Sequence, residues 1–132
     1  MKLQGELCLI LTISLAFLAV TIAPASANNC EGNSHDEIFG KRQPNDKLVY
    51  VDHINESWKL FRHVTKDISY PLRGQVGHNI TYIEIMDNYK NGNGGCAYIL
   101  EGGVGKEFVK IHMKSKFNRG MDFEVKIYAL VH

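Results

Sequence analysis

The sequence predicts an all-β protein, a single small antiparallel β-sandwich or open barrel of about six or seven strands. Three observations carry this expectation. Apolar and polar residues alternate with period two through the last third of the chain. Glycine and asparagine clusters punctuate the apolar runs. No stretch beyond the first 27 residues has a helical apolar period.

Residues 1–27 read as a cleavable signal peptide. Lys2 gives a short basic start, residues 7–23 are apolar apart from Thr12, Ser14 and Thr21, and Pro24 then precedes Ala25-Ser26-Ala27. An apolar run ending in a small-x-small site is what signal peptidase reads. The competing reading is an uncleaved anchor, since about 17 apolar residues can just span a bilayer; Pro24 and the Ala-x-Ala site favour cleavage. Residues 28–132 then form a single β domain. They lose only Lys2 and Glu6 from the 15 basic and 14 acidic residues of the chain, so the charge stays balanced. A dedicated nucleic-acid binder is usually far more basic. No later run is apolar for long enough to cross a membrane as a helix.

The strands are expected in order. Residues 47–52, 58–64 and 67–70 are short strands, Pro71 ending the third. Residues 79–86 and 96–101 follow, separated by the Gly/Asn-rich stretch from Asp87 to Gly95, which suits positive φ. In 108–116, Val109, Ile111 and Met113 alternate with Lys110, His112 and Lys114; in 122–130, Phe123, Val125, Ile127 and Ala129 alternate with Asp122, Glu124 and Lys126. One apolar and one wet face mean antiparallel strands over a core. With a turn over 117–121, these two strands are expected to pair as a hairpin. Met113 would lie opposite Val125 and Ile111 opposite Ile127, so that Lys114 meets Glu124 and Lys116 meets Asp122.

Cysteine use fits an oxidising compartment. Cys8 lies in the leader, leaving Cys30 and Cys96. An isolated pair in a secreted domain most simply forms one disulfide, which for so long a loop stabilises by about 4 kcal/mol. Two free thiols or an intermolecular link are the alternatives. Asn55-Glu56-Ser57 and Asn79-Ile80-Thr81 are N-glycosylation sequons, or chance matches to a common motif.

Catalytic and metal chemistry find little support. Gly102-Gly103-Val104-Gly105-Lys106 superficially resembles a phosphate loop, but Glu107 follows the lysine and a strand comes next, so a glycine hairpin is the better reading. His35, His53, His63, His78, His112 and His132 show no metal-ligand spacing, and two cysteines without clustered histidines do not make a zinc site. No nucleophile elbow is present, and Asp36, Glu37 and Asp87 are scattered carboxylates. Lys106, Lys110, Lys114, Lys116, Arg119 and Lys126 could meet an anionic partner, but a solvated, salt-bridged face explains them as well. Trp58, Phe61 and Tyr70 are read as core or rim aromatics. The expectation is therefore no enzyme, no cofactor, no metal, and no direct contact with nucleic acid or membrane.

A family resemblance rests on an ordered set of residues. Tyr70-Pro71, Asn79-Ile80-Thr81-Tyr82-Ile83, Asp87 and the loop Asn91-Gly92-Asn93-Gly94-Gly95 come first. Ile99, Gly102-Gly103-Val104-Gly105, Phe108-Val109 and Ile111 follow, and Lys114-Ser115, Gly120, Phe123, Val125, Ile127 and Tyr128 complete it. In order and spacing, residues 48–128 resemble the insect family of multiprotein bridging factor type two, also called probable salivary secreted peptides. Cys96 departs from it, standing where an aromatic is usual.

The resemblance implies two functions. One is a secreted, non-enzymatic protein-interaction module. The other is a transcriptional coactivator, nuclear or cytoplasmic, that works with multiprotein bridging factor one and links fushi tarazu factor 1 to general transcription factor IIA. The signal peptide, cysteine pair and sequons side with secretion, and the protein partner has no name in the sequence. Binding residues are commonly carried on loops of a rigid β scaffold. The expected partner-binding loop is therefore 91–95, with Gly94 and Gly95 supplying flexibility and Asp87 and Tyr89 the contacts.

Overall fold

The computed structural model describes Cys30 and residues 32–132, so the leader 1–27 lies outside the described residues. The chain forms seven strands: β1 (Glu37–Gly40), β2 (Asp46–Glu56), β3 (Thr65–Tyr70), β4 (Asn79–Asp87), β5 (Cys96–Gly102), β6 (Val109–Lys114) and β7 (Met121–Leu130). They build two antiparallel sheets, β1-β4-β7-β2 and β3-β6-β5, which do not close into a barrel. Among the described residues no helix is long and apolar enough to cross a membrane.

The core follows from the alternation. Val109, Ile111 and Met113 of β6 and Met121, Phe123, Val125, Ile127 and Ala129 of β7 are buried, with half-exposed polar residues between most of them. Ile80, Ile83 and Ile85 of β4, Ile68 and Tyr70 of β3, Ala97 of β5 and Ile54 of β2 complete one apolar cluster. Tyr50 meets Tyr70 edge to face at 6.3 Å, joining β2 of one sheet to β3 of the other.

The expected hairpin does not form. β6 is the central strand of the three-stranded sheet, and β7 lies inside the other sheet between β4 and β2. Lys114 lies opposite Thr65 and Cys96, whereas Glu124 lies opposite His53 and Met86. The expected Lys114–Glu124 and Lys116–Asp122 pairs are therefore absent. Strands that face each other across a sandwich show the same one-sided alternation as strands paired within a sheet. Residues 115–120 are also long enough to cross the roughly 10 Å between stacked sheets.

Two further expectations change. Residues 58–64 are not a strand. Phe61 takes φ 58°, outside the extended region, and Trp58 and Phe61 are 62% and 75% exposed, so neither belongs to the core. Conversely, β1 was not expected, because four residues with Ile38 exposed carry too little pattern to read.

Asp46 locks the opening of β2 to β4. Its buried carboxylate accepts from Arg42 Nε at 2.9 Å, Gln43 N–H at 2.6 Å and the Thr81 hydroxyl at 2.9 Å. The Arg42 guanidinium also covers the Tyr128 ring at 3.6 Å. Burial alone would raise the Asp46 carboxyl, but these donors together hold it below the usual 3.8. A depressed folded pKa means that stability from this group is present above the unfolded value and is lost as pH falls through the folded one.

Two predictions follow from this architecture. Asp46→Asn should lower stability at neutral pH, and the gap to the unsubstituted protein should close as urea melts are repeated below pH 3.8; a gap constant across that window would exclude the linkage. A double-mutant cycle of Lys114→Glu and Glu124→Lys should be additive within about 0.5 kcal/mol, whereas a hairpin pair would show coupling beyond that.

Candidate functional site

One end of the sandwich is built by the loops β2–β3, β4–β5 and β6–β7, laced together by backbone–backbone and side chain–backbone hydrogen bonds. Ser115 N–H donates to Val64 O at 2.8 Å and Val64 N–H to Ser115 Oγ at 2.7 Å. Asn118 N–H donates to Arg62 O at 3.1 Å and Phe61 N–H to Asn118 Oδ1 at 2.5 Å. Lys116 Nζ donates to Gly92 O at 2.5 Å, which ties in the third loop.

Phe61 and Asn118 are the two non-glycine residues with positive φ among those described, at 58° and 61°. Asparagine tolerates this region, but phenylalanine there costs about 1–2 kcal/mol. The bond between them therefore holds an aromatic ring outward on a strained backbone. Phe117 sits at the same end, edge-on to His63 at 5.6 Å.

Beside these rings lies an open cleft of about 460 Å³ lined by Trp58, Tyr89, Asn91, Asn93, Asn118, Arg119 and Gly120. Its polar chemistry leans toward donation. Asn118 Oδ1 is taken by Phe61 N–H, and Asn91 Oδ1 by Asn93 N–H at 3.0 Å. Among the described residues, both amide NH₂ groups and the Arg119 guanidinium remain to donate. The flanking stretches 57–63 and 115–120 add Lys59, Arg62 and Lys116 and contain no acidic residue.

The residues expected to bind divide on this geometry. Tyr89 is 37% exposed and lines the cleft. Asp87 is fully buried. Its Oδ1 accepts Tyr89 N–H at 2.9 Å and its Oδ2 accepts His35 N–H at 3.2 Å, so it anchors the loop from beneath. Burial pushes its carboxyl above the usual value despite those N–H groups. Neighbouring Asp36 is shifted the other way: burial opposes its ionisation, but Asp87 N–H and Lys90 hold it down.

Gly94 and Gly95 are buried and lack positive φ. They are required by close approach rather than by flexibility. A Cβ on Gly94 would lie 2.3 Å from Asp87 Oδ2, and one on Gly95 would lie 2.5 Å from Lys114 O. Positive φ in this loop belongs to Gly92.

Cys30 and Cys96 form a disulfide with their Cα atoms 5.6 Å apart, joining the N-terminal segment to the start of β5. His35 lies beside them. One of its ring nitrogens and the two sulfurs are all within 4.8 Å of one another, although sequence spacing gave no hint of a cluster. Asn55 is exposed on β2. Asn79 is half-buried at the start of β4, and the Thr81 hydroxyl of its sequon is bonded to Asp46.

This architecture defines a small all-β sandwich domain in which four of the five exposed aromatic side chains among the described residues, Trp58, Phe61, Tyr89 and Phe117, sit on loops at one end, Phe108 being the exception. The family model described as transcription activator MBF2 matches residues 39–129. A protein of Bombus ignitus named probable salivary secreted peptide is 34% identical over 126 residues, covering 91% of this chain and 90% of the relative. The chain belongs to the transcription activator MBF2 family. No solved structure matches it.

Gly94→Ala should destabilise the domain by about 1–3 kcal/mol, the usual cost of overpacking a site without slack. Denaturant melts measure this; a loss below about 0.5 kcal/mol would mean that Asp87 can yield.

Proposed function

We propose that this chain is a secreted, non-enzymatic protein-interaction module that engages its partner through the β2–β3 and β6–β7 loops. The observation that carries this reading is Phe61. A large apolar ring is held in solvent by a strained backbone, which is locked by Asn118 and flanked by exposed Trp58 and Phe117. Exposed aromatic groups rimmed by polar ones mark binding surfaces, and aromatic anchors supply most of the energy of an interface. The donor-rich cleft and the surrounding cations favour a partner segment that brings acceptors, carboxylates above all, beside its apolar side chains. The cleft lining holds neither a carboxylate nor a cysteine or serine nucleophile, which favours binding over catalysis.

The name of the Bombus relative and the sequence of residues 1–27 favour the extracellular setting. The family description favours a second reading, a transcription activator that acts by protein contact. In that reading the partners would be multiprotein bridging factor one, fushi tarazu factor 1 and general transcription factor IIA, and the same aromatic end would meet them.

The test compares the unsubstituted protein with Trp58→Ala and Phe61→Asn, the asparagine being tolerant of left-handed backbone. Trp58→Ala should keep its thermal stability, and Phe61→Asn should keep it or rise as the backbone strain is relieved. Each should weaken the partner captured from culture medium by about 30-fold, the factor that corresponds to the roughly 2 kcal/mol of a hot-spot residue. Folded variants that retain every partner would place the binding surface elsewhere. Sequencing the N-terminus of the medium and nuclear pools decides between the two settings; a nuclear pool that begins at Met1 would favour the activator.

A further inference from the structure

His35 combines deep burial with an unsatisfied atom. It is 1% exposed, on the segment that leads into β1. Its Nδ1 lies 2.9 Å from Gly95 O, and because a carbonyl only accepts, Nδ1 carries the proton. In the neutral tautomer with that proton, Nε2 is the acceptor nitrogen. That atom is buried and has no hydrogen-bond partner among the described residues. Buried polar atoms are nearly always paired, so an orphan requires a reason.

The disulfide beside the ring supplies one, since a ring nitrogen and both sulfurs lie within 4.8 Å of one another. A histidine that donates one ring N–H to a backbone carbonyl and leaves the other nitrogen open has the arrangement of a metal ligand, with tautomer and ring direction already set. We propose that two-electron reduction of the Cys30–Cys96 bond converts this cluster into a Zn²⁺ site, with the two thiolates and His35 Nε2 as protein ligands and water as the fourth. The balance is simple. A thiol or phosphine reductant supplies two electrons and the sulfurs take up two protons. Zn²⁺ then displaces both protons as the two S–Zn bonds form. Two thiolates and an imidazole suit Zn²⁺, whereas hard cations prefer oxygen.

Most of the cluster does not depend on the disulfide for its position. Cys96 begins β5, paired opposite Lys114. His35 is fixed by its own N–H on Asp87 Oδ2 and by its ring on Gly95 O. The segment that carries it is tied by Gly92 N–H to Asn33 O at 3.1 Å and by Asp87 N–H to Asp36 Oδ1 at 2.7 Å. After reduction, two ligands remain in place and Cys30 has only a short tether to return by. This inference is independent of the partner surface proposed above.

The experiment uses protein from cells expressing the full chain, taken as isolated and after anaerobic reduction with a phosphine. Zn²⁺ is titrated against a chromophoric chelator, and Co²⁺ serves as a spectroscopic substitute. The reduced protein should bind one Zn²⁺ per chain, and the oxidised protein none. Co²⁺ should give thiolate charge-transfer and tetrahedral visible bands. His35→Gln and Cys96→Ser should each weaken binding by more than about 100-fold, beyond the roughly 10- to 100-fold cost of losing a supporting contact. Circular dichroism of oxidised His35→Gln reports its folding; should it not fold, the Co²⁺ spectrum of the unsubstituted protein decides. Equal binding before and after reduction, no binding by folded reduced protein, unchanged affinity in both variants, or an octahedral Co²⁺ spectrum would each overturn the site.

Discussion

The facing of β6 and β7 across the interior is the constraint on which the rest depends. Each is an internal strand of its own sheet, and their apolar rows, Val109-Ile111-Met113 and Met121-Phe123-Val125-Ile127-Ala129, meet in one core. β4 and β2 then flank β7, β3 and β5 flank β6, and β1 adds outside β4. It also follows that the chain must cross between sheets at residues 115–120. That crossing brings Asn118 to Phe61 and Lys116 to Gly92. The loop surface is thus a by-product of closing the sandwich, and the hydrophobic effect that drives the closure is what stabilises it.

The alternation that made the fold class legible also concealed its pairing. Strands β6 and β7 can be read from apolar residues at every second position, and they give up their inner faces without ambiguity. Pairing is a different quantity. Alternation reports which face is dry, and two strands with dry faces can stack on each other or lie side by side. The 58–64 stretch misleads for a related reason. Trp58, Leu60 and Val64 stand at even spacing, but only Val64 enters the core. Leu60 and Trp58 spend their apolar surface on solvent, a choice no local pattern records.

At the candidate site, legibility ended where long-range geometry began. The loop from Asp87 to Gly95 is visible in composition, and Tyr89 does reach the cleft. Gly94 and Gly95 read as pivots because glycine permits unusual φ. Here they serve instead to let the Asp87 carboxylate and the Lys114 carbonyl come close. Asp87 read as a contact because it is charged and sits in a polar stretch. It is buried because two backbone N–H groups on separate segments need one acceptor between them. His35 and Asn118 carry no local signal, since the hydrogen-bond partners that place them lie 50 or more residues away.

Asp87 also joins the two chemistries of this end. Its Oδ1 holds the backbone of Tyr89, which lines the cleft, and its Oδ2 holds the backbone of His35, which lies against the cysteine pair. Gly94 packs on the same carboxylate, one residue before Gly95 and two before Cys96. The burial that raises the Asp87 carboxyl follows from this position, because a group that bridges a surface loop to a buried cluster must sit beneath both. The segment that leads into β1 and the turn after β4, which sequence separates by more than fifty residues, are thereby held by one carboxylate.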